Sequence, residues 1–251
     1  MRTFSPFINM TTKKKTCKWF ILFVALMTPL SSCDKDKLGV GAIETDFATI
    51  YAKKGEPLTL IPDRGQSIMY ITKTVVNKKE LTHQRRVIAT YTLLKDVTPK
   101  NLADLSYWNI RLDQISDLEC KLPVLKSHVD DPNQLGKGIL RIKSIDMARH
   151  FLNIILYEHA GDAPNINLWF DDSNHPASVT WIFVLSSDAA TTTQGVIVTK
   201  YISFDLQNLF RDLQALPTKL ILRYFESTDT QKELRYTIHH DLFGICLIPE
   251  E

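Results

Sequence analysis

Apolar and polar residues alternate with a period of two along most of this chain, the pattern of half-buried β-strands. The clearest run is residues 86–94. There Val87, Ala89, Tyr91 and Leu93 fall on one face, and Ile88, Thr90, Thr92 and Leu94 on the other. Residues 178–185 repeat it, with Val179, Trp181, Phe183 and Leu185 on one side. Shorter β-prone runs lie at 47–51, 58–61 and 68–76, separated by Gly55-Glu56-Pro57, by Pro62-Asp63-Arg64-Gly65 and by other turn formers. Runs at 107–112 and 118–124 complete a first cluster of strands. The stretch 128–138 holds Asp130-Asp131-Pro132-Asn133 with Gly136 and Gly138, a density of turn formers that predicts a domain boundary. Beyond it, runs at 139–145, 151–159, 166–170, 178–185, 196–204, 220–226 and 234–239 read as the strands of a sandwich. One helix is predicted, from the stripe Leu206, Leu209, Phe210, Leu213 and Leu216, capped by Asp205 and stopped by Pro217.

The first residues break this pattern. Lys13-Lys14-Lys15 and Lys18 precede an apolar run at 19–27, Pro29 follows, and Leu30-Ser31-Ser32-Cys33 comes next. This is a tripartite export signal ending in a lipobox. In a lipobox an aliphatic and two small residues precede a cysteine whose thiolate takes a diacylglyceryl group. The peptidase cleft accepts only small side chains just before the cut. The apolar run is shorter than the ~20 residues of a spanning helix. The expectation is therefore a signal peptide at 1–32, cleavage before Cys33 and lipid on Cys33. The chain would be anchored in the cell envelope at the outer membrane, with the leaflet left open. Residues 33–45 read as a polar tether. Met10 would give the signal a more ordinary length than Met1 does.

Export changes the charge. The chain has 30 basic and 28 acidic residues. The signal removes five of the basic ones (Arg2, Lys13, Lys14, Lys15, Lys18) and no acidic one, which leaves a net charge of −3. No broad basic field remains for nucleic acid. Of the four cysteines, Cys17 leaves with the signal and Cys33 is acylated. Cys120 and Cys246 remain, either as a disulfide pinning the C-terminal tail to the first cluster or as buried free thiols.

The chain resembles the NigD-like lipoproteins. The resemblance begins at the lipobox, Leu30 to Cys33, and continues through Leu58-Thr59-Leu60-Ile61-Pro62 and the strand from Arg86 to Leu94. It is most specific at Phe151-Leu152-Asn153-Ile154, Asn165-Ile166-Asn167-Leu168 and Ile202-Ser203-Phe204-Asp205-Leu206. Two positions depart from the pattern. Pro164-Asn165 stands where a His usually precedes the second of these segments, and Leu185-Ser186-Ser187-Asp188 replaces an "LRHN"-like stretch. The resemblance implies an all-β fold, with an OB-like barrel at 46–127 and a β-sandwich at 128–251. It supplies no catalytic residues, and it implies an envelope role, with bacteriocin immunity among the proposals for the family.

Candidate chemistry in the residues themselves is sparse. His239-His240-Asp241 suggests a metal or a triad, yet adjacent strand residues point to opposite faces. Asp171-Asp172-Ser173-Asn174 with Asp162 has oxygen ligands for Ca²⁺ but lacks a regular loop spacing, so a plain turn is expected. Ser186-Ser187-Asp188 has no nucleophile elbow around it. Lys78-Lys79 and Arg85-Arg86 flank a predicted hairpin and read as charges that deter edge-to-edge pairing. Of Trp108, Trp169 and Trp181, the last lies on an apolar strand face, and Trp169 is the residue placed to stack on a sugar. No catalytic residue, cofactor or metal site is predicted. The expectation is a non-enzymatic binding or accessory lipoprotein with an envelope protein, a toxin or a glycan as its partner.

Overall fold

Five strands build the first module: β1 (Ile43–Tyr51), β2 (Thr59–Pro62), β3 (Ser67–Thr74), β4 (Arg85–Asp96) and β5 (Ser106–Asp117). They close into a barrel in the order β1-β2-β3-β5-β4. Every neighbouring pair is antiparallel except β3 and β5, which is the connectivity of an OB-type barrel. The alternation in the sequence sets its inside. Val87, Ala89, Tyr91 and Leu93 are at most 1% exposed and pack on Ala48, Ile50, Leu60, Met69, Ile110 and Leu112. Trp108 is buried in the same core. Register shifts in the β4–β5 ladder at Thr90/Tyr91 and Leu93/Lys95 bend the sheet, as closure of so few strands requires. The turn into β3 needs Gly65, whose φ is +71°.

This is a computed structural model. It describes residues 39–65, 67–101, 105–128, 138–160, 164–173, 179–188, 196–211, 213, 215–227, 230–241 and 244–250, the side chains of 241 and 244–246 excepted. Cys33, with the predicted signal and the first part of the predicted tether (33–38), lies outside the described residues.

The second module is a sandwich of two sheets. The six-stranded sheet has the order β15-β14-β13-β11-β10-β7, and the four-stranded sheet the order β6-β12-β9-β8. The strands are β6 (Glu119–Lys121), β7 (Val124–Leu125), β8 (Arg141–Ala148), β9 (Phe151–His159), β10 (Ile166–Phe170), β11 (Thr180–Ser187), β12 (Ile197–Asp205), β13 (Lys219–Ser227), β14 (Thr230–Asp241) and β15 (Gly244–Pro249). Inward residues of both sheets form one core. It includes Leu152, Ile154, Ile202 and Phe204 from one side and Leu168, Phe170, Trp181, Phe183, Leu220 and Leu222 from the other. Trp181 is fully buried, as its place on the apolar face of its strand predicts. Barrel and sandwich belong to one compact unit, Leu38–Glu251.

Three local expectations change. The run at 118–124, read as the last strand of the first cluster, splits. β6 pairs in parallel with β12, and β7 pairs in parallel with β10, so both extend the sandwich sheets. Backbone pairing with distant strands decides this, and period-two alternation does not report it. The predicted helix shortens to α1 (Gln207–Arg211), with the Gln207 N–H donating to Asp205 Oδ1 at 2.8 Å as the predicted cap. A five-residue helix is too short to stand alone and is held by its buried Leu209. β1 begins at Ile43, inside the stretch read as tether, because that stretch pairs with β4 from Ile43↔Thr92 onward.

Candidate functional site

The sandwich meets the barrel where the outer faces of β1 and β4 touch the outer face of the four-stranded sheet. Arg86 is the residue of β4 that precedes the inward-pointing Val87, so it points outward. Sequence reading placed it as a solvent charge on a hairpin. In the structure the other module covers it, and its side chain is 5% exposed. Its guanidinium meets the Asp63 carboxylate in a fork, Nη1 to Oδ1 at 2.6 Å and Nη2 to Oδ2 at 2.7 Å. The Asp63 side chain is 2% exposed. Arg86 also donates to Thr49 Oγ1 at 3.0 Å, Asn153 Oδ1 at 3.2 Å and Ser203 Oγ at 3.3 Å. Asn153 returns a bond from Nδ2 to Asp63 Oδ2 at 2.7 Å, and Ser203 Oγ donates to Asn153 Oδ1 at 2.8 Å. The ring of Phe151 lies 3.7 Å from the guanidinium carbon, a cation–π contact.

This network joins the modules. Thr49, Asp63 and Arg86 come from the barrel, and Phe151, Asn153 and Ser203 from β9 and β12. A buried charge paired in this way, with both Arg86 Nη atoms bonded and only Nε left without a partner, fixes geometry, because any displacement strands it in a medium of low dielectric. Four of the residues fall within segments that carried the sequence resemblance: Arg86, Phe151, Asn153 and Ser203. Asp63 directly follows a further segment, Leu58 to Pro62.

Beside the network lies a groove of about 810 Å³. Its barrel wall is Thr45, Ile88 and Thr90 with Gln114 and Ser116. The Oγ1 atoms of Thr45 and Thr90 are 2.9 Å apart. Its sandwich wall is Thr199, Lys200 and Tyr201 on β12 with Glu158 on β9. Asp117, Leu118 and Glu119 form the corner where the chain leaves the barrel. Phe47 meets Tyr201 edge to face, with ring centroids 6.0 Å apart. The charged groups are matched within the wall. Arg85 pairs with Asp117, and Lys200 lies 3.6 Å from Glu119 and 3.8 Å from Glu158. What remains to meet a ligand is a row of hydroxyls, an amide and an aromatic ring.

A partly buried carboxylate sits at the edge of the junction. Asp46 points into the barrel end and accepts the Tyr91 hydroxyl at 2.8 Å. Burial raises its pKa above 3.8, partly offset by the Tyr91 bond and by Arg64. A folded-state pKa above the unfolded one means that the folded protein holds the proton more tightly. The group's contribution is most favourable below 3.8 and is lost as pH rises through the folded value. Asp46→Asn is therefore expected to be more stable than the parent at pH 7, with the gap shrinking as pH falls towards 3.8. Urea unfolding at pH 7 and pH 4 measures it, and a gap that grows on acidification contradicts the reading.

The residues singled out from the sequence scatter. Cys120 is a free thiol on β6, so the bridge to Cys246 is not formed. The two cysteines lie on different sheets, β6 at one edge of the four-stranded sheet and β15 beside β8 at the other. Three strand spacings of about 4.8 Å exceed the reach of a disulfide. Desolvation raises the Cys120 thiol pKa, which makes it a poor nucleophile. Trp169 lies half-buried on the outer face of β10, its Nε1–H donating to Ser186 Oγ at 2.7 Å, away from the groove. His239 and His240 are neighbours on β14, and His240 Nε2 bonds the Pro217 carbonyl at 2.6 Å. Asp171 is held below the usual carboxylate range by Ser173 and Lys126, and Asp172 accepts the Ser127 N–H at 2.9 Å. Those carboxylates are spent on Ser173 and on Lys126 and Ser127 of the neighbouring 3-10 turn. Asn174 and Asp162 lie outside the described residues. Among the described residues no cluster of three or more His, Cys, Asp or Glu side chains could hold a metal ion. Ser186 and Ser187 are buried, and Asp188 accepts the Asn165 N–H at 2.7 Å. Lys78 and Lys79 are exposed on a 3-10 turn capped by Asn77.

No protein-family model matches the sequence, and no curated protein matches it. Solved structures do. A protein of unknown function from Bacteroides vulgatus is 16% identical, with 80% of this chain and 93% of that chain covered and a TM-score of 0.60. A candidate lipoprotein from Bacteroides fragilis is 8% identical, with 77% and 97% covered and a TM-score of 0.55. A NigD-like immunity protein from Bacteroides caccae is 19% identical, with 84% and 93% covered and a TM-score of 0.51. The resemblance read from the sequence thus has a counterpart in three dimensions: the structural neighbours of this chain include a NigD-like immunity protein, and the likeness is one of fold.

Proposed function

We propose that this chain is a lipid-anchored binding protein of the cell envelope that holds a partner in the groove between barrel and sandwich without transforming it. The observation that carries the reading is the groove's chemistry. Its acids and bases are consumed in Arg85–Asp117 and in the Lys200 pairs with Glu119 and Glu158. Thr45, Thr90, Gln114, Ser116, Thr199 and Tyr201 are left to bind. Fixed hydroxyl, amide and aromatic groups suit recognition, and none is poised as a nucleophile or a general base. The Arg86 network supports it by holding both walls in place. The lipobox at Leu30 to Cys33 supplies the anchor and, by its chemistry, the envelope address.

A second reading has its own support. One solved structure with this fold is described as a NigD-like immunity protein. On that reading the partner is a toxin or the toxin's receptor, held at the membrane that the toxin attacks.

A photo-crosslinking residue placed at Tyr201 tests the proposal in cells, with the same residue at Trp169 for comparison. Position 201 is expected to give a discrete adduct and position 169 none. Adducts from 169 with none from 201 would move the site to the outer sheet face and favour a glycan there. No adduct from either position contradicts a binding role. Cells exposed to toxin, with and without the chain, separate the immunity reading from the general one.

A further inference from the structure

The groove exists because a strand stops short. β9 pairs with β12 along its whole length, from Ile197↔His159 to Asp205↔Phe151. On the other side β6 covers β12 only from Ile202↔Glu119 to Phe204↔Lys121. Upstream of Glu119 the chain turns at the buried Leu118 into β5 of the barrel, and so cannot continue along β12. Among the described residues no strand lies beside Ile197 to Tyr201 on that side. Asp117, Leu118, Glu119, Thr199, Lys200 and Tyr201 all line the groove, so the groove is the place the missing strand would occupy.

The open edge lacks the usual protection. Edge strands are ordinarily guarded by charge, proline or a bulge. Here Val196 is 72% exposed, Ile197 52%, Val198 37% and Tyr201 38%. The single charge among them, Lys200, is engaged by Glu119 and Glu158. Five unpaired residues at 3.3 Å each give a slot about 17 Å long, open to main-chain donors and acceptors. Glu119 is also held by Lys121 at 2.9 Å, so two lysines balance the two acids at the inner rim.

Resting on the groove as the binding site, we propose that its occupant is an extended peptide segment of a partner protein, added as a strand beside Ile197 to Tyr201. Main-chain hydrogen bonds to alternate residues would give the affinity, and side chains would alternate between two environments. One set meets the hydroxyl and amide wall of the barrel with Tyr201. The other meets Val198 and the ion-paired rim of Glu119, Lys200 and Glu158.

The probe is a phage-displayed library of random nine-residue peptides, selected on the full lipidated protein in detergent micelles. The expected winners are β-prone peptides, and their binding slows amide exchange between Ile197 and Tyr201. N-methylation along a winning peptide should weaken binding at least tenfold at every second position and leave the positions between nearly unchanged. Val198→Lys, which puts a charge on the edge, should weaken binding tenfold while the melting temperature stays near that of the parent. Enrichment of no peptide, tolerance of N-methylation at all positions, or protection confined to β8 or β15 each overturns the proposal. The crosslink at position 201 is independent of these results. If it forms while the peptide results fail, the groove binds something other than a strand. If it fails as well, the reading of the groove as the binding site falls.

Discussion

Asp63→Asn is expected to destabilise the protein by about 3–5 kcal/mol, the usual cost of leaving a buried charge without its partner. Arg86 and Asp63 are both almost fully buried and joined by a two-pronged ion pair. An asparagine presents one acceptor oxygen where the carboxylate presents two, and no charge. The guanidinium then stays in a low-dielectric site with Thr49, Asn153, Ser203 and the Phe151 ring around it, none of which carries a counter-charge. Asn153 also loses the charged acceptor for its Nδ2. For a chain of this size the loss corresponds to a fall of roughly 6–20 °C in melting temperature. The double variant Asp63→Leu with Arg86→Met removes both charges and should lose less than Asp63→Asn alone, because the pair's worth is small beside the penalty for breaking it. Denaturant unfolding of the three proteins measures both effects. A loss below about 1 kcal/mol for Asp63→Asn would mean that the network does not hold the junction.

Cys33→Ser is expected to abolish lipid attachment altogether. On the proposed lipidation the cysteine sulfur takes a diacylglyceryl group, and a serine hydroxyl in its place does not form the thiolate that this step needs. Incorporation of labelled palmitate should fall to background. The variant should retain residues 1–32, because the cut before position 33 follows acylation. Label that persists, or unchanged cleavage, would contradict the assignment of Cys33.

The sequence made the barrel legible where one face is apolar and the other is not. Val87, Ala89, Tyr91 and Leu93 are inward in the structure, and so are Trp181, Phe183 and Leu185. β9 and β10 have the boundaries their apolar runs predict. Pairing was less legible. β6 and β7 are too short to show alternation, and their partners lie far along the chain. β15 was missed because residues 244–249 offer little period-two contrast at the end of the chain. The site was hidden for a different reason. Arg86, Asn153 and Ser203 occupy positions that would face water in an isolated strand. Only the other module's presence turns them inward, and Asp63 reads as a turn former. The signal that could have found them was the run of matched segments around Arg86, Phe151 to Ile154 and Ile202 to Leu206. Nothing in those residues alone says that they meet in space. The groove was still less legible, since it is defined by where β6 fails to extend.

The Arg86 network holds barrel and sandwich as one body, with the groove between them. The distance between a spin label at Lys54 on the barrel and one at Arg235 on the sandwich tests this most directly, measured by pulsed electron resonance with Cys120 and Cys246 replaced by serine. One narrow distance distribution is expected for the parent and a broad one for Asp63→Asn. A broad distribution in the parent itself would contradict it.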